Sequence, residues 1–249
     1  MTELLSVVVP VYNEREMLPS FHARMLAVLK TLDMSTELLY VDDGSSDGSG
    51  DYLDALHCED AIVAVLRLSR NFGKEAAMSA GLDHARGAAV VVIDADLQDP
   101  PELIPTLMEH WRAGFDVVYA TRESREGERW FKRHSAALFY RLMDRLSDVP
   151  IPRDTGDFRL LSRRAVDALA KLREQHRYMK GLYTWIGYPQ KAVPYAREAR
   201  AQGRSKWSYW RLWNLALEGI TSFSAAPLRF ATWLGLFTSV MAFAYGLFF

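Results

Sequence analysis

The amino-acid sequence predicts an α/β domain, a mostly parallel sheet with helices on both faces, followed by an interfacial helix and a C-terminal transmembrane helix. Three observations predict it. Apolar runs rich in β-branched residues alternate with segments of helical periodicity through the first half of the chain. Dense polar clusters follow directly on three of those runs. The stretch Phe230 to Phe249 carries no charge and has about the length that spans a bilayer.

The first apolar run, Leu5 to Val9, leads into Pro10-Val11-Tyr12-Asn13-Glu14, and Met17 to Leu32 has helical spacing. A second strand, Leu38 to Val41, runs into Asp42-Asp43-Gly44-Ser45, with Ser46 or Asp47 suited to cap a helix over Ser49 to Leu56. Strand Val63 to Leu66 precedes a helix over Lys74 to Ala85. Strand Ala89 to Ile93 runs into Asp94-Ala95-Asp96-Leu97-Gln98. Next, Asp99-Pro100-Pro101-Glu102 reads as an N-cap, a first-turn proline and a capping-box glutamate, opening a helix over Glu102 to Ala113. Val117 to Ala120 is the last strand of this series. No Gly/Ser linker interrupts the first 200 or so residues, which gives one domain over 1–205, a juxtamembrane amphipathic helix over 206–226 and a membrane segment over 227–249.

Composition narrows the function. A chain of 249 residues, 49% hydrophobic, buries a full core, and a net charge of −1 argues against nucleic acid as a partner. Cys58 is the single cysteine, so there is no intrachain disulfide framework, and its presence fits a reducing compartment. Met1-Thr2-Glu3 has none of the positive charge that opens a signal peptide.

Ligands of an open parallel sheet bind beyond the carboxyl ends of its strands. Asp94 and Asp96, alternate residues past a strand end, would both face that crevice. Two close carboxylates repel unless a cation lies between them, and a hard ion held by one or two carboxylates plus substrate phosphates removes the penalty. Gln98 offers a further neutral oxygen. In the second cluster, one aspartate turned toward the crevice would accept hydrogen bonds from a base or ribose.

The motifs PVYNE, VDDGSSDGS, NFGKEAAMSAGL and DADLQDPPE, in this order and spacing, resemble family 2 glycosyltransferases with the Rossmann-like GT-A fold. TGDFRL (Thr155 to Leu160) and GRSKW (Gly203 to Trp207), ahead of a membrane segment, resemble the polyprenyl-phosphate group, which includes dolichyl-phosphate mannose synthases and bactoprenol glucosyltransferases. A Q-x-x-R-W motif, the mark of processive polysaccharide synthases, is not present. The resemblance implies that Pro10, Tyr12, Glu14 and Asp43 hold the nucleotide's base and ribose, and that Asp94 and Ala95 line the nucleotide-sugar site. It makes Asp96 and Gln98 the ligands of Mg²⁺ or Mn²⁺, and Arg204 and Lys206 the partners of the donor phosphates. Arg122 and Arg133 resemble acceptor-phosphate positions, a task suited to the planar guanidinium fork. Asp157 resembles the family's proposed general base. A phosphate monoester, with a second pKa of about 6, is already mostly ionised near neutral pH, so Asp157 would alternatively position the acceptor or pair with Arg159.

The implied reaction is inverting transfer of a hexose from a nucleotide sugar to a polyprenyl phosphate. The stretch Arg177 to Tyr195 most resembles the bactoprenol group, which favours UDP-glucose and undecaprenyl phosphate over GDP-mannose. Trp207, Trp210 and Trp213 mark the interfacial helix, and the basic residues Arg197, Arg200, Arg204, Lys206 and Arg211 ahead of the span place the catalytic domain on the cytoplasmic side of the plasma membrane. Bactoprenol-type members usually carry a second membrane helix, and the sequence stops on Phe248-Phe249 without a polar flank, as a shortened chain would. The resemblance also allows a homotetramer. A nucleotidyltransferase would carry a Gly-rich basic loop after strand one, which PVYNE is not. A membrane-tethered domain that binds nucleotide sugars without turnover is the non-catalytic alternative.

Overall fold

The computed structural model describes residues 3–122, 155–172, 179–195 and 226–249. These fall in two units, one holding the first three stretches and the other the last. In the first unit the expected strands form as β1 (Leu4–Val11), β2 (Ser35–Asp42), β3 (Val63–Arg67), β4 (Ala89–Val92) and β5 (Val117–Arg122). The expected helices form as α1 (Leu18–Leu29), α2 (Ser49–Glu59), α3 (Lys74–His84) and α4 (Ile104–Arg112). Two strands were not expected: β6 (Thr155–Ser162) and β7 (Gln190–Tyr195). Between them lie α5 (Arg163–Ala170) and α6 (Met179–Trp185).

The seven strands join in the order β3-β2-β1-β4-β6-β5-β7. All pairings are parallel except those of β6, which runs antiparallel to both β4 and β5. Alternation along β1 divides its side chains between two buried layers, as burial on both faces requires. Leu5, Val7 and Val9 join Phe21, Met25, Leu53 and Leu107 in one core. On the other face Gly81 lets α3 press on β1, since a Cβ there would lie 2.2 Å from a Val8 methyl.

The start of the fourth helix differs from expectation. A 3-10 turn, Pro101–Leu103, precedes α4, and neither segment has a side-chain cap bond at its N-cap. Asp99 does not cap it. Its buried carboxylate instead accepts the Tyr195 hydroxyl of β7. Glu102 forms a two-pronged ion pair with Arg24 of α1, at 2.6 and 2.8 Å. A buried carboxylate needs donors more than a helix end open to water does.

The second unit's described part is one helix, α7 (Ala226–Phe248), uncharged after Arg229. Ala231–Phe248 is long and apolar enough to cross a membrane, and its large side chains, Trp233, Phe237 and Phe243 among them, are exposed within the unit. The juxtamembrane helix expected over 206–226 lies, up to Ala225, outside the described residues.

Candidate active site

The site is built where the parallel strands end. Asp43 N–H donates to the Val11 carbonyl and Ile93 N–H to that of Val8, so both acidic clusters flank the end of β1. The loop after β1 is laced to the loop after β2. Asn13, in the left-handed region at φ 54°, receives the Ser46 N–H on Oδ1 and donates its own N–H to Ser45 Oγ. Arg15 N–H donates to Asp47, whose other oxygen accepts the Ser49 N–H two residues on. The N-cap of α2 is Gly48, which has no side chain to make a cap bond, so neither Ser46 nor Asp47 takes the capping position expected of it. Glu14 N–H donates to Ser49 Oγ.

The loop after β2 in turn holds the loop after β3. Both oxygens of the buried Asp43 carboxylate are engaged, by the Phe72 and Gly73 N–H groups at 2.8 and 2.9 Å. Gly44, at φ 70°, sits so close that a Cβ would lie 2.6 Å from the Arg70 carbonyl carbon. This clasp fixes the first residue of α3, Lys74.

Because β6 is antiparallel, its first residues lie at the edge where β4 ends; Arg159 pairs with Val92, so Asp157 reaches the level of Asp94. Lys74 bridges them. Its Nζ lies 2.6 Å from Asp94 Oδ1 and 2.7 Å from Oδ2, and it bonds Asp157 Oδ2. Burial alone would lower the Lys74 pKa, but the Asp157 and Asp94 charges raise it. Burial would raise that of Asp157, yet Lys74, Lys180 and Arg159 hold it well below the usual carboxylate range. For Asp94 burial prevails over Lys74 and pushes the group up.

Further residues complete the cluster. Glu75 is pushed up to about 7 by burial and by the Asp157 charge, and its Oε2 accepts the Met179 N–H at the start of α6. Lys180 donates to the Thr155 carbonyl at 3.0 Å. Arg159 does not pair with the Asp157 carboxylate. Its guanidinium stacks 3.7 Å over the Tyr183 ring and donates to the Gly156 carbonyl. Two buried oxygens, Asp157 Oδ1 and the Tyr183 hydroxyl, have no hydrogen-bond partner among the described residues. Leaving such a group unmet costs about 1–3 kcal/mol, which marks a place where a ligand's polar group can be received.

The other expected residues are placed as follows. Asp96 Oδ1 accepts the Gln98 N–H at 3.1 Å across Leu97, a branched residue at φ 57°. Backbone strain of this kind persists where surroundings over-determine it, often at functional sites. Gln98 and Ala95 are buried. Tyr12 is exposed at the rim, and Pro10 lies beside Val41 in the sheet. Arg122 ends β5, but its side chain, like Arg133, Arg204 and Lys206, lies outside the described residues. Among the described residues no three His, Cys, Asp or Glu side chains form a ready metal cage. The donor chemistry still fits a hard divalent ion. The oxygens of Asp94, Asp96, Gln98 and Asp157 are hard donors, Lys74 already draws two of the carboxylates to one positive centre, and Asp157 Oδ1 is unmet. Lys74, Glu75, Lys180 and Tyr183 were given no role by the sequence motifs; the Gly-Lys pair opening α3 was the available signal.

Two acidic clusters and Asp157 thus meet at the carboxyl edge of the sheet, where an α/β enzyme of this kind binds its ligand. The chain belongs to glycosyl transferase family 2, whose family model matches residues 6–170, and it is a glycosyltransferase. It is 50% identical over 248 residues to an uncharacterized glycosyltransferase of Synechocystis sp., covering 100% of this chain and 78% of that protein. To the bactoprenol glucosyl transferase of Shigella phage SfV it is 46% identical over 242 residues, covering 97% of this chain and 79% of that protein. Its fold is that of glucosyl-3-phosphoglycerate synthase from Mycobacterium tuberculosis, solved with Mn²⁺ and UDP-glucose, at TM-score 0.56 and 18% identity over 86% of this chain and 76% of that one.

Proposed function

We propose that this enzyme transfers glucose from UDP-glucose to undecaprenyl phosphate, with inversion, at the cytoplasmic face of the membrane. The observation that carries the reading is the convergence of Asp94 and Asp157, from different strands, on one positive centre beside Asp96 and Gln98. The likeness to a phage bactoprenol glucosyl transferase supports the acceptor and the sugar, and α7 supports an acceptor presented at a bilayer.

In this reading a phosphate oxygen of the acceptor attacks the anomeric carbon from the face opposite the leaving group. The new carbon–oxygen bond forms as the bond to the donor's β-phosphate breaks, and UDP departs with the electron pair. Asp96 and Gln98 would hold Mg²⁺ or Mn²⁺, which supplies positive charge to the leaving diphosphate when bound. Arg204 and Lys206 add charge to the same phosphates, and Arg122 and Arg133 receive the acceptor phosphate. Pro10, Tyr12 and Glu14 border the base and ribose. Asp43 contributes through the loop it clasps. Asp157 positions and balances charge rather than removing a proton. A carboxylate held below its usual range is a weak base, and the acceptor phosphate is already ionised.

The test offers the full chain, in detergent with undecaprenyl phosphate and Mn²⁺, a choice of UDP-glucose, GDP-mannose and UDP-N-acetylglucosamine. Mass spectrometry of the lipid should show one added hexose with UDP-glucose. Addition from GDP-mannose alone would replace the donor assigned here, and free sugar without lipid product would remove the acceptor.

A further inference from the structure

Lys74 satisfies two carboxylates at the point where a divalent cation and a diphosphate would be expected to arrive. The ammonium is not a stray surface charge. It opens α3, it is fixed by the clasp of Asp43 on Phe72 and Gly73, and it contacts both oxygens of Asp94 and one of Asp157. Those partners lie 20 and 83 residues away in the chain, so the contact exists only in the folded domain.

We propose that Lys74 is the resident counter-cation of the Asp94–Asp157 pair and competes with the divalent metal, so that metal and nucleotide load together. This rests on the nucleotide-sugar reading of the site. Metal held by Asp96 and Gln98 alone meets an ammonium already bonded to Asp94, two residues from Asp96, and two cations would crowd one set of carboxylates. A charge within about 4–6 Å shifts an ionic equilibrium by one to three powers of ten. A nucleoside diphosphate brings the negative charge that balances both cations. Its binding therefore strengthens that of the metal, and the metal strengthens its binding by the same factor. Lys74 also keeps Asp94 and Asp157 close to each other, with Asp157 Oδ1 free of partners among the described residues. Lys74 acts here as a positioning residue whose effect on the metal is competitive.

The experiment titrates the full chain in detergent with Mn²⁺ alone and with Mn²⁺ plus UDP, following free Mn²⁺ by electron paramagnetic resonance. Wild type should bind Mn²⁺ at least about tenfold more tightly when UDP is present. Lys74→Met should bind Mn²⁺ alone about tenfold or more tightly than wild type and lose most of the UDP effect, whereas Lys74→Arg should behave as wild type. Lys180→Met removes a positive charge near Asp157 without touching the Asp94 carboxylate, and should gain much less. Equal gains in Lys180→Met and Lys74→Met, or no gain in Lys74→Met while wild type binds Mn²⁺ and UDP, would overturn the competition and leave the proposed reaction standing. Should Lys74→Met fail to fold, the wild-type titration still decides, because Mn²⁺ binding indifferent to UDP contradicts the proposal. Wild type that binds neither UDP nor Mn²⁺ would overturn the reading of the site and this inference with it.

Discussion

Gly44→Ala should damage both stability and nucleotide binding, and Gly48→Ala provides its control. Both glycines have positive φ, 70° and 86°, in the same loop after β2. An L residue in that region costs about 1 kcal/mol or somewhat more. Their surroundings differ. A Cβ on Gly48 meets nothing within 4 Å, whereas one on Gly44 lies 2.6, 2.8 and 2.9 Å from backbone atoms of Arg70 and Asn71. Backbone cannot rotate aside as a side-chain tip does, and forced overpacking adds about 1–3 kcal/mol. The total for Gly44→Ala is then about 3 kcal/mol against about 1 for Gly48→Ala. For a domain of this size that corresponds to a fall in Tm of about 6–12 °C against about 2–4 °C. If the loop yields instead, the Asp43 bonds to Phe72 and Gly73 lengthen and Lys74 shifts, so UDP affinity falls where Gly48→Ala leaves it near wild type. Thermal melts and UDP titrations of the full chain read both quantities. Equal losses in the two variants would refute the idea that close packing of the two loops sets the site.

Other consequences are separate. Glu75 has a folded pKa raised to about 7, so folding takes up a proton between its unfolded value near 4.3 and 7, and stability falls as pH rises through that window. Glu75→Gln keeps an acceptor for Met179 and should flatten that slope, with Tm a few degrees above wild type at pH 8; an unchanged slope would discard the assignment. Tyr195→Phe strips a donor from buried Asp99 and should destabilise by about 1–3 kcal/mol, read as a lower melting temperature. Asp157→Asn should cut turnover at least about a hundredfold, and the wild-type rate on the acid side should follow the acceptor phosphate near pH 6. A rate still constant at pH 5 would contradict the acceptor assigned here.

The first five strands were legible because each is a short apolar run, buried in all but β3, where Val63 alone is buried. β6 escaped because Arg159 sits in its middle, and only the structure shows that charge buried against Tyr183 and the Gly156 carbonyl. β7 escaped because Pro194 interrupts it, which an edge strand tolerates. Asp94 and Asp96 stood out as acids past a strand end, and Asp157 through the resemblance of TGDFRL to the polyprenyl-phosphate group. Lys74 did not, since a lysine opening a helix reads as a solvated charge until Asp157 is brought to it by the reversed direction of β6. Asp99 misled for a local reason: Asp-Pro-Pro-Glu fits a helix start by itself, while the hydroxyl that claims it lies 96 residues away.

The most direct measurement follows radiolabelled glucose from UDP-glucose into the lipid phase with undecaprenyl phosphate, comparing wild type, wild type in EDTA, and Asp96→Ala. Label should enter the lipid only with divalent metal and intact Asp96, and the lipid product should carry the anomeric configuration opposite to that of the donor. Transfer that survives both EDTA and Asp96→Ala, or a product that retains configuration, would contradict the chemistry assigned to this site.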